Sequence, residues 1–309
     1  MLVRAMFWKL PALGKISKIG VVPPAPEPGR EGVAVALIVR NEERHIGEWA
    51  GFHRRAGVRR FFVYDNGCSD RTLPILRATL GDALVVVPWR QVFRDAWLGR
   101  EIHNQVLAYA HAVSNFGGAF RWMAFIDADE FLVPKRAATI PEALAHLGDA
   151  VNLSLPWHMF GRSGHVEPPA GGVLANYTRR ARDPMSDVRG VRAFKVLVDP
   201  CHVTAVKVHS METDGSFATV NDRGDAADDA ARERPGFYSA DHLQLNHYYT
   251  RSDSELAAKI GRGPNLVAKS PEYARKVMRT VANIEADEVE DRAAVEWLAR
   301  AGWEPCGPS

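Results

Sequence analysis

The chain reads Phe125-Ile126-Asp127-Ala128-Asp129-Glu130-Phe131 where an apolar run, Trp122 to Ile126, ends in three carboxylates. The apolar run predicts a buried strand. Carboxylates this close repel one another and are costly to desolvate, so we expect a cation among them. Asp127 and Asp129 are two positions apart, which on an extended backbone puts their side chains on one face. Ligands bind at the carboxyl ends of strands in open α/β sheets, although a plain acidic turn is the alternative.

Composition is that of an ordinary globular protein. The 309 residues are 46% hydrophobic and 25% charged, enough for one large α/β domain or one domain with additions. A formal net charge of +2 gives no case for nucleic acid as a partner. The cysteines, Cys68, Cys201 and Cys306, are too far apart for a zinc-type pair or a disulfide framework. Without an apolar run of about 18 residues or a signal core, we expect a cytoplasmic protein.

The N-terminus has a composition of its own. Residues 1–20 interleave apolar side chains with Arg4, Lys9, Lys15 and Lys18, which suits peripheral attachment to an anionic membrane surface or, equally, a docking arm packed on the domain. Residues 21–30 are rich in proline and predict a linker. We therefore predict an arm and linker over 1–31, a main domain over 32–265 and a C-terminal helical extension over 266–309.

Strands and helices alternate through the first half of the chain. Apolar runs predict strands over 33–39, 60–64, 84–87 and 122–126, and helical periodicity predicts helices over 42–56, from about 71, and over 101–113. This order predicts an α/β fold with a mostly parallel sheet, flanking helices and right-handed crossovers.

The second half is less regular. Strands are expected over 151–155, 191–198 and 203–208, and helices over 252–262, 271–283 and 289–301. Residues 211–240 are rich in Asp, Gly and Ala, and predict a mobile loop.

Polar groups follow the first two predicted strands as well. Asn41 and Glu42 come after the first strand, and the turn from Asp65 to Asp70, which includes Asn66, follows the second. At a ligand-binding sheet edge they would contact a base or ribose; the alternative is turn and helix-cap chemistry alone. Arg100 and Asn104 lie near a helix start, where anions are favoured, although a solvated helix face would look the same.

Two later segments add candidates. His247 follows a short strand-like run, and neutral imidazole could complete a metal site; a hydrogen-bonded core histidine is the alternative. Lys259 and Arg262 could meet a diphosphate or simply favour a helix C-terminus. The segment from Trp157 to His165 joins aromatics to glycines, which suits stacking on sugars as well as ordinary loop packing.

Five motifs in this order resemble the glycosyltransferase family 2 and family 92 group, which has the GT-A fold. The resemblance runs from about Ala34 to Gly263. The motifs are Ile38-Val39-Arg40-Asn41-Glu42, Tyr64-Asp65-Asn66-Gly67-Cys68-Ser69-Asp70, Phe125 to Phe131, Trp157 to His165, and Asn246-His247-Tyr248-Tyr249-Thr250-Arg251-Ser252 with Lys259 to Gly263.

The resemblance implies sugar transfer from a nucleotide diphosphate donor, most often a UDP-sugar, to a glycan, glycolipid, lipid-linked or glycoprotein acceptor. It implies that Asp65 contacts the base, Asp127 the ribose and metal, that Asp129 and His247 ligate Mn²⁺ or Mg²⁺, and that Lys259 and Arg262 lie near the diphosphate. The remaining donor candidates are Asn41, Glu42, Asn66, Arg100 and Asn104, and the acceptor candidates are Trp157, Gly161 and His165.

The catalytic base is less well marked. Inverting relatives use an Asp or Glu after the metal motif, and we predict Glu212, over Asp214 and Asp187, because it follows a predicted strand. One alternative function is metal-dependent phosphoester or nucleotidyl transfer, which needs more carboxylates for a two-metal site. Another is a non-catalytic nucleotide-sugar-binding scaffold, which the intact Asp127, Asp129 and His247 argue against.

Overall fold

The computed structural model of the chain describes residues 14–262 and 271–304. Its strands are β1 (Ile19–Gly20), β2 (Val33–Val39), β3 (Val58–Asp65), β4 (Leu84–Pro88), β5 (Trp122–Phe125), β6 (Glu130–Pro134), β7 (Asn152–Met159), β8 (Arg179–Ala181), β9 (Phe194–Val198), β10 (Val203–Val206), β11 (Met211–Thr213), β12 (Thr219–Val220), β13 (Ala226–Ala227), β14 (Leu243–His247) and β15 (Glu288–Glu290). Its helices are α1 (Ile46–Arg55), α2 (Thr72–Leu80), α3 (Asn104–Phe116), α4 (Ile140–Leu144), α5 (Val173–Asn176), α6 (Asp229–Arg232), α7 (Asp253–Arg262), α8 (Pro271–Glu285) and α9 (Ala293–Ala301).

The central sheet has the strand order β13-β12-β7-β9-β5-β2-β3-β4. β2 pairs in parallel with β3 and β5, and β3 pairs in parallel with β4. β9 runs antiparallel between β5 and β7. Val33 to Leu37 are fully buried, as expected for a strand whose two faces are both covered by helices. The predicted α/β GT-A architecture, with its mostly parallel sheet and irregular second half, is confirmed.

The described C-terminal helices share the core of the main domain. Trp297 on α9 is buried, packs its ring 4.5 Å from that of Phe52, and donates its indole N–H to the Ala138 carbonyl (3.0 Å). β15 pairs with β8 of the main domain. The boundary predicted at residue 266 lies outside the described residues and stays a prediction. The described part beyond it packs against the main domain.

Strand β6 was not predicted, and it decides where the site lies. β14 pairs antiparallel with β6 and parallel with β7. In this register His247 lies opposite Glu130 on one side and Met159 on the other. The carboxylate motif after β5 is therefore brought beside a histidine that follows it by more than a hundred positions.

The prediction of a mobile loop over residues 211–240 is wrong. The segment contains β11, β12, β13 and α6. Arg232 is only 6% exposed, with its guanidinium 4.5 Å from the centre of the Phe194 ring and 4.7 Å from that of Phe217. Asn221 is fully buried and donates to Asp225 (2.9 Å). Cation–π contacts of Arg232 and the hydrogen bond of the buried Asn221 help to order this segment. It has no long apolar run from which a strand or helix could be predicted.

The described part of the N-terminal arm packs on the domain. β1 pairs with β10, and Arg100 donates to the carbonyls of Gly14 (2.8 Å) and Lys15 (3.2 Å). Arg30, in the proline-rich segment, forms a bidentate pair with Asp199 (2.7 and 2.6 Å). The basic and apolar residues 1–13 lie outside the described residues. In the ranges 14–262 and 271–304, every helix falls short of the length and apolarity that crossing a bilayer demands.

His53 joins helix α1 to strand β6. It is fully buried, its Nδ1–H donates to the Trp49 carbonyl (2.9 Å), and its Nε2 accepts the Leu132 N–H (3.3 Å). Because Nε2 is an acceptor here, the ring is neutral in this arrangement. Burial lowers the pKa of His53 from 6.5 to about 3.

We expect this histidine to make the protein acid-sensitive. Between pH 6.5 and about 3, the unfolded chain binds a proton at His53 that the folded chain does not, so stability is lost as the pH falls. The loss should approach about 1.4 kcal/mol per pH unit from this group alone. Urea unfolding of the wild type and of His53→Gln at pH 7, 6 and 5 measures it. The same slope for both proteins would contradict the assignment.

Candidate functional site

A tight turn carries the acidic motif from β5 into β6. The Glu130 N–H donates to the Asp127 carbonyl (3.1 Å), and the Asp127 N–H donates to Oε2 of Glu130 (2.8 Å). The backbone is therefore not extended between Asp127 and Asp129, and the expectation that these two side chains share a face is wrong. Each carboxylate has different partners.

Asp129 faces a cluster of cationic or potentially cationic groups. Its Oδ2 lies 3.4 Å from Nε2 of His247 and 3.9 Å from Nζ of Lys259, and its side chain is 25% exposed. Its carbonyl accepts the Tyr248 N–H (2.8 Å), which ties the turn to the end of β14. Burial would raise the pKa of Asp129, but His247, Lys259 and Arg251 outweigh it and hold that pKa well below its usual range. Asp129 is therefore a carboxylate at neutral pH.

Asp129 and His247 fit the role of ligands to a divalent cation. Metal bonds from carboxylate oxygen and imidazole nitrogen are about 2.0–2.2 Å long, so atoms 3.4 Å apart can both ligate one ion. In the described ranges, 14–262 and 271–304, there is no cluster of three or more His, Cys, Asp or Glu side chains arranged to hold a metal. Two protein ligands suffice for an ion that substrate phosphates and water complete, which is the usual way Mg²⁺ is bound.

Asp127 has a different environment. Its Oδ1 accepts from Nε2 of Gln105 (2.7 Å) and its Oδ2 from Nζ of Lys195 (2.8 Å). Lys195 is fully buried on β9 and also lies 3.6 Å from Oε2 of Glu130. Burial opposes the charged form of Lys195, but Asp127 and Glu130 outweigh it and raise its pKa. With a donor on each oxygen, Asp127 is placed to fix the turn beneath Asp129, and its predicted metal contact gains no support from this geometry.

A cavity of about 400 Å³ opens beside Asp129, and we call it the strand-end cavity. Its walls come from the segment after β2, the turn after β3, the acidic turn, and the segment from β14 into α7. They include Asn41, Glu42, Asp129, Tyr249, Arg251 and Lys259. Four of the predicted site residues, Asn41, Glu42, Asp129 and Lys259, therefore share one cavity.

Charged groups of both signs line this cavity. Arg251 Nη1 lies 3.8 Å from Oε2 of Glu42. His45 hydrogen-bonds Glu255, and burial together with Arg251 lowers the pKa of His45 to about 4, so His45 is neutral at pH 7. The Lys259 ammonium donates to the Tyr249 carbonyl (2.7 Å) and lies 3.7 Å from the centre of the Tyr249 ring. Arg251 and Lys259, together with Arg44, are thus the described cationic side chains that line this cavity.

The other donor candidates lie along the neighbouring strand ends. Asp65 ends β3, and its Oδ1 accepts the N–H groups of Gly67 (3.1 Å) and Cys68 (2.7 Å). Asn66 accepts from Nδ2 of Asn104 (3.3 Å) at the start of α3. These three candidates are brought together at one sheet edge, but they are not among the residues that line the strand-end cavity.

The structure gives no placement at this edge for two further donor candidates. Arg100 is engaged with the carbonyls of the N-terminal arm. Arg262 is the last residue of α7, and its side chain lies outside what the structure describes. Their roles stay predictions without geometric support.

Trp157 is the acceptor candidate closest to the proposed ligands. Its ring centre lies 4.3 Å from that of His247 and 5.4 Å from that of His209. Gly161, by contrast, faces the C-terminal segment: a Cβ there would lie 2.7 Å from Oε1 of Glu288. The glycine at position 161 is therefore explained by this close packing, without a contact to an acceptor. His165 hydrogen-bonds the Asn176 carbonyl through Nε2 (3.2 Å). Only Trp157 contacts the site.

Glu212, the predicted base, lies on β11 in a separate three-stranded sheet with β1 and β10. Its Oε1 accepts from Lys18 (2.6 Å) and lies 3.7 Å from Nζ of Lys207. The hydrogen bond from Lys18 lowers the pKa of Glu212, which weakens it as a general base. The assignment of Glu212 as the base stays a prediction. In the structure, Glu212 holds the N-terminal arm through its hydrogen bond with Lys18.

Sequence reasoning missed three residues of this site. Arg251 and Tyr249 line the cavity but appeared only as members of a motif. Lys195 appeared only inside a predicted strand. It is the one charged side chain between Phe194 and Val198, and a lone charge in a buried strand signals a paired or functional group.

Comparison with known proteins gives a family match. The family model described as glycosyltransferase family 92 matches residues 32–256. A glycosyltransferase family 92 protein of Ricinus communis is 30% identical over 168 residues, which cover 52% of this chain and 29% of that protein. One of Oryza sativa subsp. japonica is 29% identical over 162 residues, covering 49% and 25% respectively. The chain thus spans less than a third of the length of these curated relatives.

Solved structures show a weaker likeness. Glucosyl-3-phosphoglycerate synthase from Mycobacterium tuberculosis, in complex with Mn²⁺, UDP-glucose and phosphoglyceric acid, is 19% identical with a TM-score of 0.31, and the match covers 56% of this chain and 57% of that one. The same enzyme with Mn²⁺, UDP and glucosyl-3-phosphoglycerate gives 18% and 0.30 over the same shares. TM-scores this low support no argument about the site.

Proposed function

The chain belongs to glycosyltransferase family 92, and on that premise we propose that it transfers a sugar from a nucleotide diphosphate donor to a hydroxyl of an acceptor. The donor in the proposal is a UDP-sugar, and the acceptor is a glycan, glycolipid or glycoprotein. The family match supports the reaction class. The residues around Asp129 support the assignment of the donor site to the strand-end cavity.

One observation carries the proposal. An ionised Asp129 at the end of the fourth parallel strand lies 3.4 Å from His247 and 3.9 Å from Lys259, on the wall of a cavity that Arg251 also lines. A diphosphate has several anionic oxygens and needs cations around it. A divalent ion on Asp129 and His247, with the two basic side chains, would supply them.

Each of these residues has a task in the proposed reaction. Asp129 and His247 would hold Mn²⁺ or Mg²⁺, whose chemistry is to stabilise the charge that develops on the departing nucleotide diphosphate. Lys259 and Arg251 orient the diphosphate by charge-assisted hydrogen bonds. Trp157, packed on His247, offers a flat ring for a sugar. We assign no catalytic base and no stereochemical outcome.

The two alternatives are less well supported. Phosphoester or nucleotidyl transfer through two metal ions needs a larger set of carboxylates, and the described residues contain no cluster of three metal-ligating side chains. A binding scaffold without activity could use the same Asp129 and His247 to bind a donor, so this pair does not separate it from a transferase, and a measured turnover does. The family match favours the transferase over both alternatives.

We expect UDP to bind in a cation-dependent way. Calorimetric titration of UDP should give an affinity in Mn²⁺ at least about tenfold higher than in EDTA, because an ion held by Asp129 and His247 would offset the charge of the diphosphate. Uridine, which lacks phosphates, is the matched control and should bind equally in both buffers. If UDP also binds equally in both, the metal-dependent part of the proposal fails, while a screen of nucleotide-sugar hydrolysis still tests transfer.

A further inference from the structure

A second cavity, of about 410 Å³, lies on the exposed face of α8, and we call it the α8 basic pocket. It is lined by Arg189, Glu272, Arg275, Lys276, Arg279 and Thr280. The opposite face of the helix is apolar and packs Val277 and Val281 against Leu256 of α7. One face of the helix thus packs against the protein, and the other carries three cationic side chains. Arg189, from another segment, is the fourth cation of the pocket.

The loop that carries Arg189 is fixed against α8. Gly190 has φ +88°, and a Cβ at this position would lie 2.7 Å from Oγ1 of Thr280. The Asn283 side chain donates to the Arg189 carbonyl (2.9 Å). Glycine therefore permits a close approach that a larger residue would prevent, and the hydrogen bond from α8 sets the position of Arg189. The four cations are brought together by the fold and not by helix spacing alone.

The described carboxylates do not neutralise this cluster. Glu272 lines the pocket, but neither it nor any other described acid forms an ion pair with the four cationic side chains. The nearby acid Asp187 pairs instead with Arg192 (2.6 Å), as does Glu233 (3.1 Å). Arg275 and Arg279 are four positions apart on the helix, where like charges repel. An anion in the pocket would remove that repulsion.

The pocket is connected to the proposed donor site by one aromatic side chain. Thr280, which lines the pocket, lies close enough to the Tyr249 side chain to affect the pKa of its hydroxyl. Tyr249 lines the strand-end cavity, and its ring centre lies 5.6 Å from that of His247. Tyr249 thus links the α8 basic pocket to the cavity that Asp129 lines.

We propose that the α8 basic pocket binds a phosphate group of the acceptor, so that the acceptor of this enzyme is a phosphorylated molecule. The inference rests on the proposed function, because it presumes that the strand-end cavity holds the donor. Guanidinium groups favour phosphate because each can donate two parallel N–H bonds to it. Three arginines and one lysine carry more positive charge than a single carboxylate would need, and this charge suits a phosphate with two negative charges. The phosphate anchors the acceptor while its hydroxyl reaches the sugar.

The test measures binding of inorganic phosphate to the full chain in EDTA, so that the strand-end cavity contributes no cation-dependent phosphate binding. Replacing Arg275 and Arg279 together with glutamine should weaken phosphate binding by at least about tenfold, since two charge-assisted contacts are lost. Arg55→Gln with Arg77→Gln is the matched control, since both arginines are exposed on helices outside the pocket. Equal phosphate affinity in the three proteins overturns the proposal.

Two further measurements separate the possible sources and failures. Sedimentation with phosphatidylglycerol but not phosphatidylcholine vesicles, lost in the Arg275/Arg279 variant, assigns the phosphate to a lipid headgroup. Phosphate binding without such sedimentation assigns it to a soluble phosphorylated acceptor. Manganese-dependent UDP binding should be the same in the variant and the wild type. If manganese-dependent UDP binding is absent from both proteins, the proposed donor site is wrong. The phosphate measurement still tests the α8 basic pocket independently.

Discussion

Replacing Asp129 with asparagine is expected to lower hydrolysis and transfer from a UDP-sugar by about 10²–10³-fold or more. The substitution keeps the size of the side chain and its place in the turn but removes the charge that faces His247 and Lys259. It also leaves those two groups without their carboxylate, so the strand-end cavity would lose the divalent ion proposed for it. Turnover with and without added Mn²⁺ measures the effect.

The same variant gives a second readout that separates the cation from other causes of inactivity. In Mn²⁺, its affinity for UDP should fall to the value that the wild type has in EDTA. Asp82→Asn, an identical change at an exposed position after α2, should leave turnover and affinity unchanged. If Asp129→Asn keeps the full gain in UDP affinity that Mn²⁺ gives the wild type, Asp129 does not ligate the ion.

The sheet could be predicted because each of its main strands is a recognisable apolar run in the sequence. Val33–Val39 is an unbroken apolar run, and the strands that flank it in the sheet are bounded by turn residues, so their order along the chain limits the topology. The same logic predicted that polar groups after parallel strands meet at one edge of the sheet. Asn41, Glu42 and Asp129 do line one cavity there. Lys259 lines it as well, although it was predicted from a helix and from the family resemblance, and the roles of all four residues stay predictions.

The remaining features depend on contacts between distant positions. The orientation of Asp127 away from Asp129 is set by a turn and by Lys195, 68 positions later. Glu212 was chosen as the base because it follows a strand, but its carboxylate is held by Lys18, 194 positions earlier. A local sequence pattern shows which side chains are polar. It does not show which distant residue each of them contacts in the folded chain.

Lys195 provides the largest stability effect that we expect. Replacing it with methionine, which is similar in length and uncharged, should lower the free energy of unfolding by about 3–5 kcal/mol, the usual cost of breaking a buried ion pair by removing one partner. The reason is that Asp127 loses the ammonium 2.8 Å away, and Glu130, fully buried, loses the cation that offsets its burial. Urea unfolding followed by circular dichroism at pH 7 measures the loss.

Two companion variants show whether the pair itself is responsible. Lys207→Met removes a lysine that is 34% exposed and lies 3.7 Å from Glu212, so it should cost less than about 1 kcal/mol. Adding Asp127→Asn to Lys195→Met should restore part of the lost stability, because no unpaired charge then remains at that position. If the single variant Lys195→Met is as stable as Lys207→Met, the stabilising role assigned to the Lys195 ion pair is refuted. If the double variant regains stability and still binds UDP in Mn²⁺ as the wild type does, the charge of Asp127 is not needed for donor binding, contrary to what the family resemblance implies.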